Sequence, residues 1–110
     1  MKFRSLAIAG FFAPLVFVAA PLFAEGDPAA GKNKTAMCAG CHGIPGFRAA
    51  YPETYQVPKL GGQNPAYIVA ALKAYKAGER NHATMKAIAF SLTEQDMADL
   101  AAYYARTGKN

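Results

Sequence analysis

The sequence predicts an all-α domain of about four short helices, and three observations carry this prediction. Asp27-Pro28 and Asn64-Pro65 each place a preferred N-cap residue before a proline suited to the first turn of a helix. No stretch shows the alternation expected of a convincing strand. Apolar residues recur at helical spacing in two later segments, at Tyr67, Ile68, Ala71, Leu72 and Tyr75 and at Met97, Leu100, Ala101 and Tyr104.

The amino-terminal part of the 110-residue chain differs from the rest. Lys2 and Arg4 precede a run over residues 6–23 that is almost entirely apolar. This pattern predicts a signal peptide over residues 1–24 and leaves 25–110 as the folded domain. The alternative is an uncleaved anchor, because about 20 apolar residues are enough to span a bilayer. Cleavage with export to the periplasm is the favoured expectation.

The net charge of the domain indicates which classes of partner it can bind. Without Lys2 and Arg4, ten basic residues stand against seven acidic ones, which gives a net charge of +3. A mildly basic surface suits weak docking to an acidic partner. The chain has no Lys/Arg run of the kind that follows a phosphate backbone, so nucleic-acid binding is not expected.

The first predicted helix starts at Asp27-Pro28 and continues to Met37, directly before a cysteine motif. Gly31 lies inside this helix, where glycine is unfavourable unless another helix approaches closely. From Gly43 to Gln63, prolines and glycines interrupt any period and predict a loop of about twenty residues. A loop this long needs something to fill it.

The second half of the chain holds the remaining predicted helices. One follows Asn64-Pro65 and ends at Gly78, and residues 85–90 suggest a short helix. Thr93 and Asp96 resemble a capping box at the start of the last helix. That helix is predicted from about Glu94 to Thr107, before Gly108.

The motif Cys38-Ala39-Gly40-Cys41-His42 carries the chemistry. On one helical turn, positions i, i+3 and i+4 share a face, so Cys38, Cys41 and His42 point toward one flat partner. Two thiols can add to the two vinyl groups of a haem, and the imidazole can reach its iron. The pattern is that of covalent haem attachment. Phe47, Tyr51 and Tyr55 are candidates to cover the haem edge, or else ordinary core aromatics.

Other uses of two cysteines are less well supported. A C-x-x-C disulfide closes too short a loop to stabilise the fold much. Thiol–disulfide proteins place the motif after a strand, and no strand is predicted before Cys38. Zinc would need further ligands at suitable spacing, which the chain lacks.

In this order and at these spacings, the motifs resemble those of class I c-type cytochromes of the bacterial c553 and c4-like kind. The matching pieces cover nearly all of residues 25–110: Cys38 to Gly43, Pro58-Lys-Leu-Gly-Gly-Gln63, Ala77-Gly-Glu-Arg80, Met85 and Ala98-Asp-Leu-Ala-Ala-Tyr-Tyr104. The resemblance implies a cytochrome c-like fold around one haem c. The stretch from Ile44 to Val57 departs from it, being longer and more aromatic than in the shortest members.

The resemblance also implies roles for individual residues. Cys38 and Cys41 would hold the haem by thioether bonds, and His42 would ligate the iron. The carbonyl of Pro58 would accept the other ring N–H of His42. Met85 would be the second axial ligand. The first and last helices would cross, with Gly31 near Leu100 and Tyr104.

The choice of the sixth ligand can also be argued from the residues alone. Met37 adjoins Cys38 on the attachment side, and Met97 falls on the core stripe of the last helix, where methionine is usually filler. Met85 follows an irregular stretch and is free to approach the iron, so it is preferred. His82 and an open or water-bound site stay as alternatives. For His82, an exposed polar loop residue is the favoured interpretation.

These observations predict a periplasmic monohaem carrier of single electrons with His42 and Met85 on the iron, not an enzyme by itself. Its partners would be redox proteins that dock transiently near the haem edge. The alternatives are a haem c subunit of a larger oxidoreductase or a peroxidase-like enzyme. Candidate docking residues are Lys32, Lys34, Lys59, Lys73, Lys76 and Lys86, although each is as readily ordinary solvated charge.

Overall fold

The computed structural model describes residues 9–16, 25–50 and 53–108. Most of the predicted signal peptide, at residues 1–8 and 17–24, lies outside this part of the chain, and so does Tyr51. Within it there are five α-helices, α1 to α5 in chain order, and two short strands. They are α1 Pro28–Asn33, α2 Ala36–His42, β1 Arg48–Ala49, β2 Tyr55–Gln56, α3 Pro65–Ala77, α4 Ala83–Phe90 and α5 Glu94–Arg106.

The all-α prediction is confirmed, and most helix ends are where the sequence puts them. Asp27 caps α1 and Asn64 caps α3, each with its side chain accepting backbone N–H groups of the first turn. Gly78 ends α3 in the left-handed conformation at φ 80°, which glycine adopts without strain. Thr93 and Asp96 form the predicted capping box of α5.

Two details differ from prediction. The first helix is broken at Lys34-Thr35, because Lys34 N–H bonds back to Gly31 and the Thr35 hydroxyl bonds to the Lys32 carbonyl. This break gives five helices in the described chain rather than about four. The expectation of no strand is wrong at one place, where Arg48 pairs with Gln56 and Ala49 with Tyr55 in an antiparallel ladder. Strands of two residues are too short to show a readable alternation.

The crossing of α1 and α5 depends on Gly31. A Cβ atom there would overlap the carbonyl of Asp99 and lie 2.9 Å from Cβ of Tyr103. The neighbours are thus Asp99 and Tyr103, one position before the expected Leu100 and Tyr104. The offset arises because Leu100 and Tyr104 face a cavity on another side of α5.

A buried carboxylate stabilises the crossing of α1 and α5. Asp99 is 3% exposed and accepts three hydrogen bonds, from the backbone N–H of Asp27 at 2.8 Å, from Lys34 Nζ at 2.6 Å and from Gln95 Nε2 at 2.8 Å. Lys34 also bridges to Asp96 at 2.8 Å. The start of α1, the break before α2 and the first turns of α5 therefore meet at one charge.

The buried core is small. Leu92, Met97 and Leu100 form its centre, and Cys38, Leu72 and Tyr104 pack against it. Met97 is 1% exposed, which agrees with a role as filler. No helix of the described chain has the length and apolar character needed to cross a membrane.

The carboxylates at the α1–α5 crossing make stability depend on acid. Lys34 holds the pKa of Asp96 at about 2, and it also lowers the pKa of Asp99. A carboxylate with a lowered folded pKa stabilises the fold above its unfolded pKa of about 3.9, and that contribution disappears as pH falls through the folded value. We expect the free energy of unfolding to fall between about pH 5 and pH 2.

Asp99→Asn tests this account. It should lower the free energy of unfolding at neutral pH by roughly 1–3 kcal/mol and flatten the loss on acidification, because the charged acceptor is gone. Denaturant unfolding followed from about pH 6 to about pH 2 measures both effects. Glu94→Gln is the control, since Glu94 pairs with Lys73 at 3.1 Å with its side chain 76% exposed. Equal acid sensitivity in Asp99→Asn and the wild-type chain would contradict the assignment.

Candidate haem site

The two cysteines and the histidine of the motif lie on α2. Cys38 and Cys41 are half-buried, and no disulfide joins them. The whole motif lies within α2, and the element before it is the helix α1. In thiol–disulfide proteins the motif instead follows a strand. Both thiols and the imidazole of His42 border the same cavity, as the i, i+3, i+4 spacing requires.

One nitrogen of His42 is already engaged. Its Nδ1 lies 2.7 Å from the carbonyl oxygen of Pro58. A carbonyl can only accept, so Nδ1 carries the proton and donates it, which leaves Nε2 with a free lone pair. The loop that carries Pro58 is held in turn, because Gly62 N–H donates to the Tyr104 carbonyl of α5 at 2.9 Å.

The cavity beside the motif has a volume of about 430 Å³. This volume falls in the range of roughly 300–1,000 Å³ found for cofactor and ligand pockets. Leu100 and Tyr104 of α5 form part of its wall. Most of another wall is the predicted stripe of α3, namely Tyr67, Ile68, Ala71, Leu72 and Tyr75.

Met85 and His82 border this cavity too. Met85 is half-buried in the first turn of α4. His82 caps α4, with its Nδ1 accepting the N–H of Met85 at 3.2 Å. The ring of His82 lies edge-to-face against Tyr55, at 4.7 Å between centroids, and against Tyr75, at 6.2 Å. His82 is therefore half-buried and bonded, rather than the exposed loop residue expected from the sequence.

The other two methionines considered as iron ligands are Met97, which does not border the cavity, and Met37, which does but is more exposed than Met85. Met97 belongs to the buried core. Met37 borders the cavity next to Cys38 but is 52% exposed. Among the aromatics proposed to cover a haem edge, Tyr55 borders the cavity. Phe47 is half-buried, and its carbonyl accepts the N–H of Val57 at 2.9 Å beside the small hairpin.

The environment of Cys38 favours its neutral form. Burial raises the pKa of this thiol, and a hydrogen bond with Tyr104 acts in the opposite direction. Burial likewise raises the pKa of the Tyr104 hydroxyl, and the neighbouring Cys38 adds to the effect. Before any thioether forms, Cys38 is therefore a protonated thiol at neutral pH.

Arg80 is a site residue whose contacts could not be read from the sequence. Its guanidinium carbon lies 4.5 Å above the ring of Tyr75, a cation–π contact, and its Nη1 is 3.5 Å from the Tyr67 hydroxyl. It also borders the cavity. In the sequence, Arg80 is one charged residue in the connection after α3, and nothing there indicates a contact with an aromatic ring. Folding brings its guanidinium over the tyrosine rings of α3.

The donor set fits a haem. Two thiols and an imidazole with a free Nε2 border one apolar cavity, and the second nitrogen of that imidazole is oriented by a carbonyl. Cys38 and Cys41 would hold the macrocycle and His42 its iron. The fold and the site together define a protein with covalently attached haem.

Comparisons with known proteins agree. A sequence model described as Cytochrome c matches residues 28–107. The chain is 42% identical to cytochrome c-554(548) of Halomonas halodenitrificans, over 73% of this chain and 95% of that protein. It is 40% identical to cytochrome c4 of Pseudomonas aeruginosa, over 74% of this chain but 39% of that protein. It is 30% identical to the cytochrome subunit of sulfide dehydrogenase of Chlorobaculum tepidum, over 88% of this chain and 94% of that subunit.

The chain belongs to the cytochrome c family, in class I of the c-type cytochromes. Its cofactor is covalently bound haem c with its iron, and Cys38 and Cys41 stand in the C-x-x-C-H positions. It is an electron-carrier cytochrome. The chain spans about two fifths of the cytochrome c4 sequence and nearly all of cytochrome c-554(548).

Loss of one thiol tests the attachment. Cys41→Ser leaves at most one thioether bond, so we expect a low yield of holoprotein and lower stability, because the group that fills the cavity is held less firmly. Haem staining after denaturation and the yield of coloured protein measure the effect. Cys38→Ser should behave similarly, and Ser91→Ala, at an exposed position after α4, is the control. Unchanged haem retention in both cysteine variants would contradict covalent attachment at these residues.

Proposed function

We propose that this cytochrome is a periplasmic carrier of single electrons whose iron is ligated by His42 and Met85. The observation that carries the proposal is the convergence of three features on one cavity. These are the motif on α2, an imidazole oriented by Pro58, and a methionine from the first turn of α4. Bound haem supplies a one-electron couple between ferric and ferrous iron.

The residues around the iron would set its potential. The thioether of Met85 is a soft ligand that favours ferrous iron, so it raises the reduction potential relative to a second imidazole. The apolar wall from α3 acts in the same direction, because burial disfavours the additional positive charge of the ferric state. The Pro58 carbonyl holds the ring of His42 in one orientation.

The same arrangement argues against catalysis by the chain alone. If His42 and Met85 both ligate the iron, no coordination position would stay open for oxygen or peroxide. A peroxidase-like enzyme needs an open position and a nearby acid–base group. His82 is the candidate for such a group, yet its Nδ1 accepts the N–H of Met85 and its ring packs against Tyr55.

The sequence pattern of residues 1–24 supports the proposed periplasmic location. The basic start, the apolar run and the domain that begins after it are those of an exported protein. The first element of the domain, α1 with its cap at Asp27, starts shortly after the predicted cleavage site. An uncleaved segment would instead hold the same domain at the membrane surface.

A haem subunit of a larger oxidoreductase is the second candidate function. It is favoured by the similarity to the cytochrome subunit of sulfide dehydrogenase, of which this chain covers 94%. Both functions use the same site and differ in whether a partner stays bound. Size-exclusion chromatography of periplasmic extract separates them, because a free carrier elutes near its own mass of about 11.7 kDa or less and a subunit elutes with its partner.

Electron transfer requires a partner near the exposed edge of the cofactor. Lys59 and Arg80 border the cavity and would face such a partner. Several other lysines have structural partners: Lys34 pairs with Asp96 and Asp99, and Lys76 donates to the Leu92 carbonyl at 2.6 Å. We therefore place docking of an acidic partner around Lys59 rather than on all six lysines.

Charge reversal tests this docking surface. Lys59→Glu should slow electron transfer to an acidic redox partner several-fold at low ionic strength, with the difference shrinking as salt is added. Stopped-flow reduction at several salt concentrations measures it. Lys32→Glu, an exposed charge on α1, is the matched control. Equal rates for the two variants would remove Lys59 from the docking surface.

The distal ligand is tested by Met85→Ala. Loss of the thioether should lower the reduction potential by on the order of 100 mV, within the roughly 0.8 V that axial ligands span. It should also allow cyanide to bind the ferric protein rapidly. Redox titration and absorption spectra with and without reductant measure both changes, and Met37→Ala is the control. An unchanged spectrum and potential in Met85→Ala would overturn the ligand assignment.

A further inference from the structure

We infer that His82 is a positioning residue for Met85: its imidazole holds the backbone N–H of Met85 while two tyrosine rings hold the imidazole. The inference rests on the proposed function, in which Met85 ligates the iron. It assigns to His82 a part in keeping the sixth ligand in place, without contact with the metal.

The first line of evidence is the helix cap. His82 has extended backbone angles, and its Nδ1 accepts the N–H of Met85 at 3.2 Å. Its carbonyl accepts the N–H of Lys86 at 2.9 Å. Histidine is not among the preferred N-cap residues, which are Ser, Thr, Asp and Asn. The cap fixes the helical turn that carries Met85. Capping alone does not explain why histidine, rather than a preferred cap residue, occupies this position.

The second line of evidence is the aromatic surroundings. The ring of His82 meets Tyr55 of β2 at 4.7 Å with an interplanar angle of 88°, and Tyr75 of α3 at 6.2 Å and 77°. Edge-to-face contacts of this kind are favourable. A short cap residue such as asparagine would lack them. Histidine can cap α4 and bind its start to β2 and α3 at the same time.

The bonding of His82 also argues that it is not the ligand itself. Because Nδ1 accepts an N–H, the proton of the neutral ring is on Nε2. Coordination through Nε2 would require loss of that proton, and coordination through Nδ1 would require loss of the cap. The present bonding leaves the thioether of Met85 as the available donor in this turn.

Removal of the cap should let Met85 leave the iron more often. Loss of an N-cap weakens a helix start by about 1 kcal/mol, which is roughly a fivefold change in an equilibrium. Cyanide binds ferric haem only when the sixth ligand has dissociated. For His82→Ala we expect cyanide association about fivefold faster than in the wild-type holoprotein, together with a weaker sulfur-to-iron charge-transfer band.

Two further variants separate the cap from general packing. His82→Asn restores an acceptor that caps without ring support, so its cyanide rate and charge-transfer band should return to within about twofold of wild type. His82→Phe keeps an aromatic ring but has no acceptor, so it should resemble His82→Ala. The inference is overturned if His82→Asn behaves like His82→Ala, or if His82→Phe behaves like the wild type.

Asp27→Ala is the control for stability. It removes the N-cap of α1, whose side chain accepts from Ala29 at 2.9 Å, and leaves α4 unchanged. We expect it to lower thermal stability without altering the cyanide rate. An equal acceleration in Asp27→Ala and His82→Ala would show a general loss of stability and overturn the inference.

Measurements on the wild-type protein separate a failure of this inference from a failure of the proposed function. If the ferric wild type lacks the charge-transfer band and binds cyanide rapidly, Met85 is not on the iron and the proposed function fails. If the wild type shows the band and binds cyanide slowly, but His82→Ala does the same, then the ligation stands and the positioning role of His82 is overturned.

Discussion

The structure depends on one apolar cavity that residues from most of its elements border. Its wall contains residues from α2, β2, α3, α4 and α5, so a group bound there touches every element except α1 and β1. The buried core beside it centres on Leu92, Met97 and Leu100. A domain of this size buries little apolar surface by itself. A haem held in this cavity would add a large apolar surface to that small core.

Three polar contacts between distant parts of the chain keep this arrangement in register. The carbonyl of Pro58 accepts from His42, which joins the long loop to α2. Gly62 N–H joins the same loop to the end of α5. Nearer the start of α5, the carboxylate of Asp99 accepts the N–H of Asp27 before α1 and the Nζ of Lys34 at the helix break. The first two contacts are single hydrogen bonds, and the third is a carboxylate that accepts from both Asp27 and Lys34.

The site itself does not distinguish a free carrier from a subunit of a larger oxidoreductase. Two thioether bonds, an oriented histidine and a nearby methionine would serve either role, because both need fast electron transfer at an iron closed to small ligands. The difference lies on the surface. Lys34 and Lys76 have internal partners, so the positive charge available to a redox partner is smaller than the composition suggests. Lys59 and Arg80 stand at the cavity instead.

The sequence by itself determined the features that depend on local spacing. These include the all-α class, the caps at Asp27, Asn64 and Thr93, the helix end at Gly78, and the α3 stripe that borders the cavity. Such features arise within one or two turns of chain, where the residue types decide the outcome. The C-x-x-C-H motif is of the same kind. Its two thiols and imidazole share a face in any helix.

Only the tertiary structure decided the rest. The two-residue ladder, the contact of Gly31 with Asp99 and Tyr103, and the contact of the His82 ring with Tyr55 join residues that are far apart in sequence or too few to form a pattern. The position of Arg80 over Tyr75 depends on how the chain turns after α3. Local preferences hold no information about which distant side chains meet. That information comes from the packing of whole elements around the cofactor cavity, where shape and polar bonding must be satisfied together.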